Sequence, residues 1–254
     1  MKKEKQILVA IDFSKCSIKA LEFAICIAND ADANITLVHV DKPQGSDSIY
    51  SKRGKEHYGK IVEKMEKLVN KYQDLLNGKL EYSIRKGKVH TEIANLAKYI
   101  DAYILVAGTH GVSGFEKFWI GSNAFRFVTS VSCPVITLRE SFIWKQNHIK
   151  KIVLPIDSTV ETRQKVPFTT GLAKLFGAEI HVLGVYSSKV KVVQDIVEAY
   201  AKQAVEYIES EEVKCKQQFR FCENITLETI KYAEEINAEI IAIMTEQEKS
   251  TMEK

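Results

Sequence analysis

The chain is poor in the residues that mark fibrous, low-complexity and strongly charged proteins. Its 254 residues include only 4 Pro and 12 Gly, too few for a collagen-like or low-complexity chain. Neither sign of charge dominates, because the chain has 36 Lys and Arg and 33 Asp and Glu, which gives a formal charge of +3. A dedicated nucleic-acid binder usually shows a clear basic excess. We therefore expect a packed globular protein with no nucleic acid among its partners.

Cysteine clusters and long apolar runs are also absent from the sequence. The five cysteines are scattered, with no C-x-x-C pair and no metal-like cluster of Cys and His, which is typical of a reduced cytoplasmic chain. The longest apolar runs, at residues 7–11 and 24–28, are far below the roughly 18 residues that span a bilayer. Residues 1–12 lack the long apolar segment of a signal peptide. These features predict a soluble, cytoplasmic protein without a membrane partner.

A regular alternation of strands and helices is present instead. Residues 7–11 form a continuous, β-branched-rich apolar run, typical of a strand buried on both faces, and Ser14 follows as a candidate helix N-cap. The alternation predicts an α/β fold with a parallel sheet and helices on both faces. The predicted strands are 7–11, 35–40, 80–85, 103–107 and 134–138. The predicted helices are 52–76, 89–100, 122–131 and a first helix that follows Ser14 and ends near 29–32.

The sequence repeats itself. A shift of 145 residues lays 152–157 onto 7–12 and 178–185 onto 33–40, and a shift of 136 then lays 238–244 onto 102–108. We therefore predict two tandem domains, 1–140 and 150–254, the second with a shorter second helix or loop. The second copy is also incomplete, because the sequence after 244 has no counterpart of the last helix and strand. Its strand at 239–244 is then an unpaired edge, so we expect either that the first domain or a second chain covers it or that the sequence is a shortened version of a longer protein.

A glycine-rich loop follows the predicted strand at 103–107. It begins Gly108-Thr109-His110-Gly111, continues for nine residues and ends at Gly121, just before the predicted helix at Ser122. Glycine lets a backbone approach a ligand closely, and the first N–H groups of a helix attract anions. Ser122 is either the cap of that helix or a hydroxyl donor to a phosphate. The loop therefore suits phosphates, although glycines at this place also serve as plain turn residues.

The spacing resembles the G-x2-G-x9-G-[S/T] pattern of nucleotide-binding members of the universal stress protein family. The segments Ala-Ile-Asp-Phe-Ser at 10–14 and Cys-Pro-Val at 133–135 are also similar to that family. The resemblance covers the whole first domain and the second up to about residue 244. It implies open parallel sheets of the five-stranded type, with strand order 3-2-1-4-5, in which Asp12 and Gly108 lie on neighbouring strands at the ligand-binding edge.

The same resemblance implies the ligand and its contacts. Asp12 would contact the adenosine portion, the Val40 backbone the adenine, and the glycine loop the phosphates of ATP or another adenine nucleotide, with or without Mg²⁺. Asp12 has an alternative role as the cap of the next helix. The full candidate set is Ala10, Asp12, Val40, Gly108, Thr109, His110, Gly111, Gly121, Ser122 and Asn123.

The second domain keeps Asp157 but has Met244 and Gln247 where the first has Gly108 and Gly111. A methionine side chain would fill the space that a phosphate needs. We therefore expect one nucleotide site per chain, with the second domain serving a structural, pairing or regulatory purpose.

Three functions fit these features. The leading hypothesis is a cytoplasmic, ATP-binding stress sensor or adaptor that acts as a homo-oligomer or through pairing of its two domains. The sequence has no P-loop, no G-x-G-x-x-G after its first strand and no G-x-S-x-G elbow, so the corresponding enzyme classes are not favoured. The alternatives are a slow ATPase that uses His110, with Asp12 or Glu116 holding a metal, and a dimerising scaffold without nucleotide.

Overall fold

The computed structural model describes residues 4–41, 52–109, 122–139 and 149–244. These residues fall into two compact units, one formed by the described part of 4–139 and the other by 149–244. Each unit is built around its own parallel sheet.

The first unit has a five-stranded sheet in the order β3-β2-β1-β4-β5, with every neighbouring pair parallel. This order confirms the predicted fold class. The strands are β1 (Lys5–Ala10), β2 (Ala33–Asp41), β3 (Leu80–Lys86), β4 (Ile104–Gly108) and β5 (Val135–Leu138), and the helices are α1 (Lys15–Ala31), α2 (Lys52–Tyr72), α3 (Val89–Tyr99) and α4 (Ser122–Ser130).

The central strands are buried on both faces, which explains their continuous apolar runs. Ile7, Leu8 and Val9 of β1 have no exposed surface, and the same holds for residues 104–106 of β4. Ser14 is the N-cap of α1, as predicted, because its side chain accepts a hydrogen bond from the Ser17 N–H. The helix ends at Asp32, which has the left-handed conformation common at such ends. The burial of β1 and the caps at the two ends of α1 therefore determine where the elements of the β1-α1-β2 unit begin and end.

The second unit repeats this plan with a four-stranded parallel sheet in the order β8-β7-β6-β9. Its strands are β6 (Lys151–Ile156), β7 (Glu179–Tyr186), β8 (Cys215–Phe221) and β9 (Ile240–Ile241), and its helices are α5 (Val166–Phe176), α6 (Lys191–Ser210) and α7 (Ile225–Glu235). β9 pairs with β6 and is the edge of the sheet within residues 149–244. The predicted strand at 239–244 was too long, since only two of its residues join the ladder.

The shortening of the second copy lies mainly between its second strand and its second helix. The helices α2 and α6 have 21 and 20 residues, whereas ten residues connect β2 to α2 and only four connect β7 to α6. The first helix also differs, because a short 3-10 turn at Val160–Arg163 precedes α5, which carries Pro167 in its first turn. Proline is accepted there because the first N–H groups of a helix have no intrahelical partner.

Candidate functional site

The carboxyl ends of β1 and β4 lie side by side at the centre of the first sheet. Val9 is in register with Val106, so Asp12 follows β1 and Gly108 ends the neighbouring strand β4. The strand order reverses here, since β2 and β3 lie on one side of β1 and β4 and β5 on the other. Open α/β sheets bind ligands at such a reversal. The candidate residues Asp12 and Gly108 therefore lie where this fold places a ligand.

Asp12 forms a tight turn at the end of β1. Its Oδ1 accepts a hydrogen bond of 2.9 Å from the Ser14 N–H, and its own N–H donates to Ser17 Oγ at 3.4 Å. The cap of α1 is Ser14, whose Oγ accepts from the Ser17 N–H at 3.2 Å. Asp12 is exposed. The alternative role of Asp12 as a helix cap is therefore filled by Ser14, and the carboxylate of Asp12 stands at the solvent-facing edge of the sheet.

Phe13 adopts a backbone conformation that is rare for an aromatic residue. Its φ is 65°, in the left-handed region. The Phe13 ring centroid lies 4.8 Å from the His39 ring centroid. The Nζ of Lys64, a residue of α2, lies 5.1 Å from the Phe13 ring centroid. His39 Nδ1 donates to the Ile11 carbonyl at 2.8 Å, which assigns its proton to Nδ1. We call Phe13, His39 and Lys64 the Phe13 stack; it holds the residue after Asp12 in place.

The sequence did not reveal this stack. In the sequence, His39 lies within the predicted strand at 35–40, Phe13 appears only as part of the segment 10–14, and Lys64 lies within the predicted helix at 52–76. A left-handed conformation at a bulky residue leaves no pattern in the sequence, and Lys64 is one of many charged residues on α2. A conformation this unfavourable persists only where its surroundings impose it, and such conformations cluster at functional sites.

Ala10 and Val40 line the apolar side of the same edge. Val40 is 9% exposed and belongs to a core cluster with Ala107, against which the partly buried Ala10 packs. Their side chains are thus occupied by the core. Asp41 is the last residue of β2, and its Oδ1 lies 3.1 Å from Nε2 of His57 on α2. This contact links α2 to the carboxyl end of β2.

Gly108 has a structural reason to be glycine. A Cβ at this position would lie 2.7 Å from Cys16 Sγ and 3.1 Å from the Cβ and carbonyl carbon of Cys16. Cys16 Sγ donates to the Leu138 carbonyl at 3.2 Å, and the Thr109 N–H donates to the same oxygen at 2.8 Å. Thr109 is only 6% exposed. The start of α1 thus packs directly on the end of β4, and this close approach already requires glycine.

The rest of the loop lies mostly outside the described residues. His110, Gly111 and Gly121 belong to that part, as do Glu116 and the aromatic residues of 112–120. Ser122 and Asn123 form the first turn of α4, which begins where the sequence predicted a helix. The first N–H groups of a helix have no intrahelical partner and carry the positive end of the helix dipole. In the sequence, the glycine-rich segment directly precedes this helix.

The second unit preserves the turn after its first strand. Asp157 Oδ1 accepts from both the N–H and the hydroxyl of Thr159, at 2.9 and 2.6 Å. The Asp157 N–H donates to Thr162 Oγ1 at 3.2 Å, just as the Asp12 N–H donates to Ser17. The two copies of the repeat therefore share the hydrogen bonds of the aspartate turn that follows the first strand.

The second unit does not preserve the surroundings of that turn. Met244 stands at the position of Gly108, and Gly184 at that of His39. A Cβ at Gly184 would lie 2.4 Å from the Phe219 ring, so this ring covers the sheet where His39 reaches toward Phe13 in the first unit. The Phe13 stack therefore has no counterpart there.

Cys133 lacks the surroundings of a reactive thiol. It packs against the core cluster that contains Val40, and burial raises its pKa to about 11. A thiol with such a pKa is almost fully protonated at neutral pH.

Two further properties concern metals and membranes. Among the residues that the structure describes, no group of three or more His, Cys, Asp or Glu could hold a metal ion. None of the described helices is long and apolar enough to cross a bilayer.

Comparison with known proteins identifies similar chains. The sequence profile of the Universal stress protein family matches residues 4–139. Universal stress protein MJ0531 of Methanocaldococcus jannaschii is 27% identical over 144 residues, covering 54% of this chain and 82% of its own. Universal stress protein YxiE of Bacillus subtilis is 27% identical over 150 residues, covering 53% of this chain and 98% of its own.

A solved structure extends the likeness to both units. A universal stress protein from Archaeoglobus fulgidus has a TM-score of 0.74 and 18% identity, covering 93% of this chain and 85% of its own. At this identity the likeness concerns the fold. It shows that the tandem arrangement of parallel sheets occurs in another protein.

Proposed function

Because the chain belongs to the universal stress protein family, we propose that its first unit binds ATP or another adenine nucleotide and that the protein acts as a nucleotide-dependent stress sensor or adaptor. The observation that carries this proposal is the exposed Asp12 turn on the strand next to β4, whose glycine loop leads into α4. We propose that the protein acts by binding the nucleotide. If it hydrolyses ATP at all, we expect that reaction to be slow. We further propose a cytoplasmic location and self-association or pairing of the two units.

The two ends of a nucleotide suit different parts of this edge. The Asp12 carboxylate accepts hydrogen bonds only, so it suits the ribose hydroxyls and would repel phosphates. The start of α4 supplies N–H donors and a positive dipole end, which suit the phosphates, and the glycines that precede this helix in the sequence would let a backbone approach them closely. The side chains of Ala10 and Val40 pack in the core, so the Val40 backbone is the group proposed to contact the base.

Only the first unit combines these features. The second unit keeps the aspartate turn at Asp157, but Met244 replaces the glycine that ends β4. We therefore propose one nucleotide per chain, bound at the first unit.

Isothermal titration of the full chain with ATP, ADP and AMP tests the proposal. Asp12→Ala should weaken binding by roughly 10- to 150-fold, since a hydrogen bond to a charged group contributes about 1.5–3 kcal/mol. Asp157→Ala is the matched control, because it removes the same turn from the second unit, and it should bind as the wild type does. Absence of binding by the wild type, or equal losses in the two variants, would contradict the proposal.

A further inference from the structure

The carboxyl edge of the second sheet exposes large apolar side chains. Six of them follow or end its four strands and are between 38% and 66% exposed: Val160, Val190, Val192, Phe221, Leu227 and Met244. We call this set the apolar edge. Neighbouring strands lie about 4.8 Å apart, so the four strand ends span about 15 Å. Exposed apolar residues that are scattered singly need no explanation, whereas a group of them marks a contact surface.

The matching positions of the first unit are polar or glycine. Four members of the apolar edge have a counterpart there: Lys15 for Val160, Lys86 for Phe221, Thr91 for Leu227 and Gly108 for Met244. Lys15, Lys86 and Thr91 are exposed, as their apolar counterparts are. The fold therefore does not require apolar residues at these places, and the apolar edge has another cause.

Phe221 has the features of an interface anchor. Its ring centroid lies 6.1 Å from that of the half-buried Tyr186, which is its register partner on β7. This contact holds the Phe221 ring at the end of β8, while about half of the residue stays exposed. A few buried side chains, aromatic ones above all, carry most of the binding energy of protein interfaces.

The size of the apolar edge fits an interface between proteins. At about 150–200 Å² per residue, its exposed fractions amount to roughly 500 Å². A standard interface buries about 800 Å² per partner, of which about 60% is apolar. The apolar edge therefore supplies about as much apolar surface as one partner of such an interface needs.

Exposed residues of both charge signs surround the apolar edge. Lys189 and Lys191 follow β7, whereas Glu161 follows β6 and Glu223 follows β8. An anionic membrane or a nucleic acid would favour positive charge alone. Mixed signs suit a second copy of the chain, because a two-fold axis can set one sign opposite the other.

A two-fold axis normal to the sheet, between β6 and β7, pairs both the apolar and the charged residues. It sets the end of β8 opposite the end of β9 in the second copy, and the end of β7 opposite that of β6. The strand ends that carry Phe221 and Met244 then meet, which suits a sulfur–aromatic contact. Lys189 likewise comes to the side of Glu161 of the second copy.

We propose that two copies of the chain associate through the apolar edge in this arrangement. The inference rests on the proposed self-association, to which it assigns a surface, and it does not involve the nucleotide site of the first unit.

Sedimentation equilibrium of the full chain over a wide range of micromolar concentrations measures the association. The wild type should reach twice the mass of the chain, and high salt should not dissociate it, because salt screens charges and not apolar contacts. Phe221→Lys introduces the residue that the first unit has at this place. It should weaken dimerisation at least about thirtyfold, because a two-fold interface contains each residue twice and each lost anchor costs about fivefold or more.

Tyr207→Lys is the matched control. It also replaces an exposed aromatic residue by lysine, but near the end of α6 that lies away from the apolar edge, and it should dimerise as the wild type does. Leu227→Thr is a second variant that takes the residue of the first unit, and it should weaken dimerisation as well. Circular dichroism on each variant checks that the fold is retained.

A monomeric wild type would overturn the proposal, and so would equal dimerisation of the Phe221→Lys and Tyr207→Lys proteins. A monomer that binds vesicles of anionic phospholipid, and loses this binding in Phe221→Lys, would assign the apolar edge to a membrane instead. A wild-type dimer that Phe221→Lys does not weaken would contradict this surface alone and leave self-association in place. Titration with ATP tests the nucleotide site separately, and Phe221→Lys should bind ATP as the wild type does.

Discussion

Replacing Gly108 by alanine tests the packing of α1 on β4. The new Cβ would lie 2.7 Å from Cys16 Sγ and 3.1 Å from the Cβ and carbonyl carbon of Cys16. The sulfur could rotate away, but the carbonyl carbon belongs to the backbone of α1 and could move only with the helix. Overpacking of this kind costs about 1–3 kcal/mol.

A second effect works in the opposite direction. Alanine restricts the unfolded chain and stabilises the folded state by about 0.4–1 kcal/mol where its conformation is allowed. Gly108 has no left-handed φ that would forbid alanine. The two effects together predict a net loss of about 1.3 kcal/mol in the free energy of unfolding, within a range of roughly 0–2.6 kcal/mol.

Denaturant unfolding followed by circular dichroism measures this loss. Gly171→Ala on α5 is the matched control, because a Cβ there meets nothing within 4 Å, and it should stabilise the chain by about 0.8–1 kcal/mol. Cys16→Ala removes the closest contact, so the double variant should be more stable than the sum of the single effects indicates. If Gly108→Ala stabilised the chain as Gly171→Ala does, or if Cys16→Ala gave no relief, the packing account of Gly108 would be wrong.

Two further predictions concern the Phe13 stack and a buried histidine. Phe13→Gly allows the observed φ of 65° without strain. It should therefore change stability by less than about 1 kcal/mol while weakening ATP binding by about tenfold, whereas Phe13→Tyr should bind as the wild type does. Titration calorimetry and thermal unfolding together separate these effects, and equal affinities of the Gly and Tyr variants would show that the stack does not position Asp12. His181 lies 3.0 Å from the Tyr232 hydroxyl, and burial holds its pKa below the usual range although Glu179 opposes this. The unfolded state then binds the proton more readily, so the contribution of His181 to stability is complete above about pH 6.5 and is lost as the pH falls below it. Unfolding midpoints measured from pH 7.5 to 5 should fall less steeply in His181→Gln than in the wild type, and parallel slopes would contradict this assignment.

Most of the fold could be predicted from the sequence, because the patterns that indicate buried strands and helix caps are local. The apolar run at 7–11 and the cap at Ser14 predicted β1 and α1, and the glycine spacing led to the family and its strand order. The length of β9 did not follow, because an apolar run shows that a segment is buried but does not show how many of its residues find a ladder partner. Only Ile240 and Ile241 do so.

The candidate site was only partly predictable. Asp12 and Gly108 were placed correctly at one edge by the strand order. The reason for Gly108 was missed, since Cys16 is far from it in sequence and meets it only through the packing of α1 on β4. The Phe13 stack also depends on tertiary contacts, because it joins residues from β2, α2 and the turn after β1.

Amide hydrogen exchange with and without ATP tests the central claim most directly. A nucleotide bound at the first unit should slow exchange in peptides that contain residues 10–14, 38–41 and 104–123. Peptides around Asp157 form the internal control, because the same aspartate turn occurs there without a glycine loop, and their exchange should not change. Protection around Asp157 instead, or no protection at saturating ATP, would contradict the account.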